Sequence, residues 1–294
     1  MNLDCYPCMM RQIIDLLSFS KVKGKKRCDI FFKVYDYLRN RPLEEDCLRM
    51  GNEIYLIVKE ETGIEDPCKE IKGISNKASL KIYLWLKNIV QNSRENLKTA
   101  LKIAIAGNVI DVGAGIDLKL KESVHKTIKQ DIDKDCFSDF VKLLSKANLI
   151  LFLADNAGEV VFDKVLLEEL NKISKNKINY IVKEEPFLND AMEMDAVFAG
   201  IDKVANIISN GSGYAGTQID NCGKSFLEKF SKADLIISKG YANYMSLRNI
   251  KVPIFFMLKA KCPITQKEFH TNKGFIIFIK SKNFNSPYIK TVKK

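Results

Sequence analysis

Short apolar runs alternate with helical patterns along the second two-thirds of the chain, and this alternation restricts the fold more than any other feature. The apolar runs predict strands at residues 149–154, 179–183, 206–209, 234–238 and 253–258, with a last one at 275–280. Helical patterns between them cover residues 158–173, 189–199, 220–230 and 242–249. Strands that alternate with helices at this spacing predict an α/β fold with a doubly wound, mainly parallel sheet.

The first part of the chain has a different character. Apolar side chains recur with helical spacing at residues 9–19, 30–38, 47–59, 78–90 and 97–106, with Gly and Pro between several of these segments. We therefore predict a helical N-terminal subdomain over residues 1–106, followed by an α/β metal- and phosphate-binding domain over residues 107–294.

Composition narrows the class of protein. The 294 residues carry a net charge of +11, but the lysines are interleaved with acidic residues and form no aromatic-rich RNA-binding motif. We expect small anionic ligands and no dedicated nucleic-acid partner. The chain shows no signal peptide and no apolar run of membrane-spanning length, so we expect a cytoplasmic protein without a membrane partner. No feature of the sequence specifies an oligomeric state.

Histidine and cysteine usage narrows the chemistry. The chain has only two histidines, His125 and His270, which disfavours a histidine-based triad or a histidine-rich zinc site. The eight cysteines indicate thiols in a reducing compartment more than a disulfide framework. Cys5 and Cys8 form a CxxC pair, which could be half of a zinc site, a redox pair or two small buried residues at a helix start.

Polar side chains follow the first predicted strands. Asp155 and Asn156 come directly after the first strand, and Asp190 follows the second. Because the carboxyl ends of parallel strands share one edge of a sheet, these side chains should converge. Three hard oxygen donors suit Mg²⁺ or Mn²⁺ better than zinc. Asp155 and Asn156 could also cap the next helix, and the two roles are compatible.

Two lysines and a glycine-rich loop favour a phosphate ligand at the same edge. Lys183 and Lys239 each close an apolar strand, where a lysine either contacts a phosphate or extends to solvent. Residues 211–216 match GxGxxG, but no helix begins within the match and the acid Asp234 opens a strand. A loop that closes over a phosphate is therefore favoured over a dinucleotide site.

Taken together, these motifs resemble those of the damage-control phosphatase family, also called domain of unknown function 89, and its subfamily with an N-terminal CxxC. The resemblance extends over nearly the whole chain. It rests on six segments: Cys5–Cys8 with Arg11 and Gln12, GNVID at 107–111, DNAGE at 155–159, residues 183–195, GTxxD at 216–220, and a strand that opens with Ala233-Asp234 and closes with Lys239-Gly240.

The resemblance implies a helical N-terminal part packed on a Rossmann-like α/β domain. It implies a divalent-metal-dependent phosphatase (Mn²⁺, Mg²⁺, Co²⁺ or Ni²⁺) that hydrolyses small phosphorylated metabolites, such as sugar phosphates or related damaged phosphometabolites. Metal ligands would be Asp155, Asn156 and Asp190. Catalytic residues would be Asp155, Glu159 and Lys239. Substrate contacts would be Asn108, Asp111, Glu159, Lys183, Lys239 and Asn243.

One segment departs from the pattern of the family. Where the family continues as QGNFE after the lysine, this chain has Tyr241 in place of Gln and Met245 in place of Glu, although Asn243 is retained. The rim of the site should therefore be bulkier and less acidic. This departure keeps open an alternative, a non-catalytic protein that binds a metal and a phosphorylated ligand. Methyl transfer to protein carboxylates is disfavoured because no convincing site for a methyl donor is present.

Overall fold

The computed structural model of the protein describes residues 3–42, 46–107 and 116–282. Six strands form one sheet with the order β3-β2-β1-β4-β5-β6. Strands β1 to β5 are parallel, and β6 runs antiparallel to β5 at one edge. The predicted α/β fold with a mainly parallel sheet is confirmed. The strands are β1 Ile150–Leu153, β2 Asn179–Val182, β3 Asn206–Ser209, β4 Leu235–Lys239, β5 Ile254–Lys259 and β6 Ile276–Lys280.

Helices precede the sheet and connect its strands. Those before β1 are α1 Cys5–Phe19, α2 Gly24–Arg39, α3 Cys47–Thr62, α4 Lys69–Lys81, α5 Tyr83–Gln91, α6 Asn96–Ala106, α7 Ile116–Ile128 and α8 Lys134–Leu144. Those after it are α9 Glu159–Leu170, α10 Glu193–Ala199, α11 Lys224–Lys232, α12 Tyr241–Leu247 and α13 Pro263–Glu268. Short 3₁₀ turns lie at Ile201–Lys203 and Ile219–Asn221.

The helices differ from the sequence prediction in several places. The helices predicted over residues 189–199 and 220–230 begin four residues later, at Glu193 and Lys224. The single helix predicted over residues 78–90 is wrong, because α4 ends at Lys81 and α5 begins at Tyr83, with Ile82 between them outside helical geometry. Ile82 is buried, so the apolar periodicity continues across the break and no Gly or Pro announces it. Helices α7 and α8 were not predicted from the sequence.

Both faces of the sheet are covered by helices. Along β1, Phe152 packs with residues of α5, α6 and α9 on one face. Its neighbours Leu151 and Leu153 pack with residues of α11 and α12 on the other. A third apolar cluster joins α1, α2 and α3, and includes Phe187 and Ala215 from loops beyond β2 and β3. Strands buried on both faces account for the continuous apolar runs in the sequence.

The helices before the sheet do not form a single separate layer. Helix α6 packs against α7 and α9, and its residues belong to the same core as one face of the sheet. The division of the chain at residue 106 stays a prediction. Within the described residues, none of the helices combines the length and apolar character needed to cross a bilayer.

Candidate metal centre and phosphate site

The strand order reverses between β1 and β4, and open α/β sheets bind ligands at such a point. Asp155 follows the end of β1, and Gly240 follows the end of β4. Gly240 has a φ of +82°, and a Cβ built on it would lie 2.2–2.5 Å from the Asp155 carboxyl atoms. Glycine is therefore required at position 240, since any side chain would displace the Asp155 carboxylate.

Backbone pairing brings the three predicted metal ligands together. The Ala191 amide donates to the Asp155 carbonyl oxygen at 2.8 Å, and the Ala157 amide donates to the Asn189 carbonyl oxygen at 2.8 Å. Asn156 and Asp190 form an antiparallel bridge between these bonds. The loop after β1 and the loop after β2 thus run side by side, and Asp155, Asn156 and Asp190 lie next to one another.

Carboxylates at this point are held under electrostatic strain. Burial raises the pKa of Asp155 well above its usual range, and the neighbouring carboxylates of Glu159 and Asp190 raise it further. Burial also raises the pKa of Asp190 to about 6, although Lys183 opposes the shift. A divalent cation between Asp155 and Asp190 would relieve both effects, because it compensates their charges.

A carboxylate and a helix fix the loop that follows β1. The Asn156 Nδ2 atom donates to Glu159 Oε1 at 2.9 Å, so the amide turns its NH₂ group toward Glu159. The Gly158 amide donates to Asn76 Oδ1 at 2.6 Å, and Asn76 Nδ2 donates to Asp195 Oδ1 at 2.7 Å. Asn76 lies on α4 and was not predicted as part of the site. Its contacts connect the N-terminal helices to this loop.

The residues present fit a hard divalent cation. The set offers two carboxylates and one amide oxygen, and the Asn156 Oδ1 atom accepts no hydrogen bond from the described residues. A cavity of about 10 Å³, lined in part by Asp155, Lys183 and Asn243, has room for a single water-sized species. Within the described ranges, no cluster of three or more His, Cys, Asp or Glu side chains offers an alternative metal site.

Lys239 forms ion pairs with two buried carboxylates. Its Nζ atom donates to Glu159 Oε2 at 2.9 Å and to Asp163 Oδ1 at 2.6 Å, and the lysine is fully buried. The Tyr180 hydroxyl donates to Asp163 Oδ2 at 2.8 Å. Although burial opposes it, the two carboxylates raise the pKa of Lys239, so the ammonium form is held firmly. Asp163 and Tyr180 were not predicted as site residues, because neither follows a strand end.

Lys183 is engaged by the glycine-rich loop. Its Nζ atom donates to the carbonyl oxygens of Tyr214 and Gly216 and lies 3.6 Å from Asp190 Oδ2. Burial lowers the pKa of Lys183, and Asp190 opposes this shift. Lys183 is therefore a buried lysine beside Asp190, one of the predicted metal ligands, and its extension to solvent is excluded.

Most amides of the glycine-rich loop are not available to a phosphate. Its Tyr214 and Gly216 carbonyl oxygens accept from Lys183, and four amides of the loop donate to side-chain oxygens. These amides belong to Gly211, Ser212, Tyr214 and Ala215. The prediction of a loop that closes over a phosphate through its amides is wrong for these four residues, since their hydrogen bonds are made within the protein.

The remaining predicted substrate contacts have different outcomes. Asn243 is buried at the site, where its Nδ2 atom donates to the Ala154 and Lys239 carbonyl oxygens and its Oδ1 atom accepts from Thr217. Asn108 and Asp111 lie outside the described residues. Lys261 was not predicted as a site residue. Its charge lies near enough to oppose the rise in the pKa of Asp155, and it helps to lower the pKa of Glu159 against the effect of burial.

Comparison with known proteins shows the family to which the chain belongs. The model of the damage-control phosphatase ARMT1-like domain matches residues 1–276. The chain belongs to this family. A damage-control phosphatase of Pyrococcus horikoshii is 34% identical over 234 residues, which cover 79% of this chain and 80% of that protein. A damage-control phosphatase of Archaeoglobus fulgidus is 31% identical over 233 residues, covering 78% and 80%.

One further relative and one solved structure cover almost the whole chain. An uncharacterized protein of Methanocaldococcus jannaschii is 31% identical over 287 residues, 94% of each chain. The crystal structure of the same Pyrococcus horikoshii protein, described as a member of the domain-of-unknown-function 89 family, superposes with a TM-score of 0.84 at 30% identity. That superposition covers 96% of this chain and 99% of the other. The fold and the family predicted from the sequence are therefore both confirmed.

The assignment to the CxxC-bearing subfamily of damage-control phosphatases stays a prediction. Cys5 and Cys8 lie in the first turns of α1, where Cys5 is half-buried and Cys8 is exposed. The alternative that both are buried core residues is therefore wrong. Although the Cys8 residue is exposed, partial burial of its thiol raises the pKa of Cys8, and the nearby Cys262 and Cys5 raise it further. Cys262 is the residue directly before α13, so the CxxC motif lies close to the start of that helix.

Proposed function

We propose that this protein is a divalent-metal-dependent phosphatase that hydrolyses small phosphorylated metabolites. One observation carries the proposal: Asp155, Asn156 and Asp190 are placed side by side, at the point where the strand order reverses. Two relatives that share about a third of their residues with this chain are named damage-control phosphatases, which supports the same reaction class.

In this proposal Asp155, Asn156 and Asp190 hold one Mn²⁺, Mg²⁺, Co²⁺ or Ni²⁺ ion. When bound, such an ion supplies a Lewis acid for the phosphoryl oxygen and lowers the pKa of a coordinated water. The rest of the coordination shell would come from solvent and substrate, because three protein donors leave an octahedron incomplete.

The protein positions the phosphate and the attacking water. Helix α9 begins at Glu159, four residues after Asp155, and its N-terminus offers positive partial charge to an anion. Lys183 contributes positive charge beside Asp190, and Lys261 adds an exposed cation at the same edge. Asp155 would orient the water. Both oxygens of Glu159 already accept hydrogen bonds, from Asn156 and Lys239, so Glu159 is better suited to hold the site than to take a proton.

The substitution Asp155→Ala tests the proposal. It removes a carboxylate ligand and should reduce metal-dependent hydrolysis of p-nitrophenyl phosphate and of a panel of sugar phosphates by about a thousandfold or more. The rate of phosphate release is measured with Mn²⁺, Mg²⁺, Co²⁺ and Ni²⁺ in turn. Asp202→Ala, at an exposed position in the turn after α10, is the matched control and should keep wild-type activity. Undiminished hydrolysis by the Asp155→Ala variant would contradict the proposal.

The departure from the family pattern at Tyr241 and Met245 is the reason to test a second candidate function in the same screen, a non-catalytic protein that binds a metal and a phosphorylated ligand. Tyr241 and Met245 lie on α12, on either side of the site residue Asn243, and the Tyr241 hydroxyl donates to Glu268 Oε2 at 3.1 Å. These side chains could restrict the space for a substrate. A wild-type protein that is stabilised against heat by Mn²⁺ together with a phosphometabolite, yet releases no phosphate, would replace the phosphatase by a binding protein.

A further inference from the structure

A continuous chain of buried hydrogen bonds lies behind the three predicted metal ligands. It runs from the Tyr180 hydroxyl to Asp163, from Asp163 to Lys239, from Lys239 to Glu159, and from Glu159 to the side-chain amide of Asn156. Every heavy-atom distance along it lies between 2.6 and 2.9 Å. Tyr180, Asp163 and Lys239 are fully buried, and Glu159 is 2% exposed. The chain connects β2, α9 and β4 to the metal site.

The last bond of this chain determines how the Asn156 amide is oriented. An ionised carboxylate only accepts hydrogen bonds, so Glu159 requires that Asn156 turn its NH₂ group inward. The amide oxygen then points to the opposite side and is available as a metal ligand. A reversed amide would present NH₂ to the cation, and the site would lose one of its three protein donors.

Glu159 can do this only if its own position and charge are held. The Lys239 Nζ atom donates to the second oxygen of Glu159 at 2.9 Å and also to Asp163 Oδ1 at 2.6 Å. Asp163 in turn accepts from Tyr180, so neither of its oxygens is left unpaired. The chain contains two carboxylates and one ammonium group. It is therefore both a fixed scaffold and a buried region of net negative charge behind the metal ligands.

We propose that Asp163 and Tyr180 are positioning residues of the metal site, which act through Lys239 and Glu159 on the orientation of the Asn156 amide. The inference rests on the ligand assignment made in the proposed function. It assigns Lys239 a role in holding the site, in place of the direct phosphate contact expected from the sequence. Groups that orient metal ligands in this way contribute about 10- to 100-fold to metal affinity or activity.

A purely structural role for the same bonds makes a different prediction. A buried ion pair that serves only the fold would lower stability when broken, while the folded fraction would bind metal as before. Metal affinity of the folded protein therefore separates the two roles, and it is independent of catalytic turnover.

The experiment measures Mn²⁺ binding to the full chain by isothermal titration calorimetry, at a temperature where circular dichroism shows each variant to be folded. Asp163→Asn should weaken Mn²⁺ binding about 10- to 100-fold. Tyr180→Phe, which removes one hydroxyl and keeps the ring, should weaken it severalfold. Asp163→Glu should recover part of the loss. The matched control is Asp139→Asn, which breaks the remote Lys280–Asp139 ion pair and should leave Mn²⁺ affinity unchanged.

The outcomes are distinguishable from failure of the proposed function. Wild-type affinity in a folded Asp163→Asn variant overturns the inference. If that variant does not fold, wild-type affinity in Tyr180→Phe overturns it instead. A wild-type protein that binds Mn²⁺, loses affinity in these variants and hydrolyses no phosphometabolite keeps the inference and overturns the phosphatase. A wild-type protein that binds no Mn²⁺ overturns both.

Discussion

Two neighbouring strand ends each bury a lysine, and the two lysines are held in opposite electrostatic states. Lys239 closes β4 and is paired with the carboxylates of Glu159 and Asp163. Lys259 closes β5, where its Nζ atom donates to the hydroxyls of Ser123 and Thr127, at 3.2 and 3.1 Å. The carboxylates raise the pKa of Lys239 against the effect of burial. Burial lowers the pKa of Lys259 to about 8, and the nearby Lys261 and Lys126 lower it further.

The difference teaches that a lysine at a strand end has no fixed role. Partners on α9 make Lys239 a permanent cation that belongs to a charged network. Hydroxyl groups on α7 accept hydrogen bonds from Lys259 without compensating its charge, so it loses its proton at a lower pH, above about pH 8, than an ordinary lysine. The amino acid and its position in the strand are the same in the two cases, and the packed helix decides the charge state.

The largest expected effect comes from removing Lys239 from its carboxylate partners. Lys239→Met leaves Glu159 and Asp163 as buried, uncompensated carboxylates. The free energy of unfolding at pH 7 should fall by about 3–5 kcal/mol, as measured by urea denaturation. The matched control Lys280→Met removes a partly exposed lysine from its ion pair with Asp139, and should cost about 1 kcal/mol or less. Equal losses in the two variants would contradict the inference that Glu159 and Asp163 depend on Lys239 to compensate their buried charges.

The dependence of the unfolding free energy on pH tests the charge state of Lys259. Because the pKa of Lys259 is about 8 in the folded protein and about 10.5 when unfolded, the unfolded chain binds more protons between these values. The cost of burying the charged lysine is therefore present in full below pH 8 and disappears as the pH rises toward 10.5. Relative to Lys259→Met, the wild-type protein should gain up to about 3 kcal/mol over this range.

The measurement is the free energy of unfolding of both proteins at pH 7.5, 9 and 10. The matched control is Lys232→Met, at the exposed carboxyl end of α11, whose difference from the wild type should stay constant with pH. A constant difference between the wild type and Lys259→Met would show that Lys259 is charged throughout, as Lys239 is.

The smallest expected effect concerns the hydroxyl partners of Lys259. Thr127→Val removes one acceptor from the lysine, and should cost about 2 kcal/mol at pH 7, where the bond is made to a charged group. Above pH 9 the lysine is neutral, and the cost should fall to about 1 kcal/mol. Urea denaturation of the wild type and the variant at both pH values measures this change. A cost that does not depend on pH would contradict deprotonation of Lys259.

The sequence allowed much of the fold to be predicted, because strands and helices leave local patterns. All six predicted strands are present within two residues of their expected bounds. The polar residues that follow β1 and β2 were also readable, since a parallel sheet places successive strand ends at one edge. Asp155, Asn156 and Asp190 are adjacent for that reason, and their role as metal ligands stays a prediction.

Other features left no local signal. The break at Ile82 interrupts neither the apolar pattern nor the run of helix-forming residues. The glycine-rich loop has the spacing of a phosphate-binding loop, but its Ala215 amide donates to Asn52, and the next residue, Thr217, donates through its amide to Ser246. Sequence spacing could not reveal these two partners, because the bonds form only after the helices pack.

The sequence by itself determined the sheet, the order of its strands along the chain and the polar residues at their ends, because each depends on a short stretch of residues. The tertiary structure alone decided the charge state of the buried lysines and the groups with which they form hydrogen bonds. Asp163 meets Lys239 across 76 positions of sequence, and Thr127 meets Lys259 across 132. A buried charge is set by the groups that surround it in space, and these are brought together only by packing.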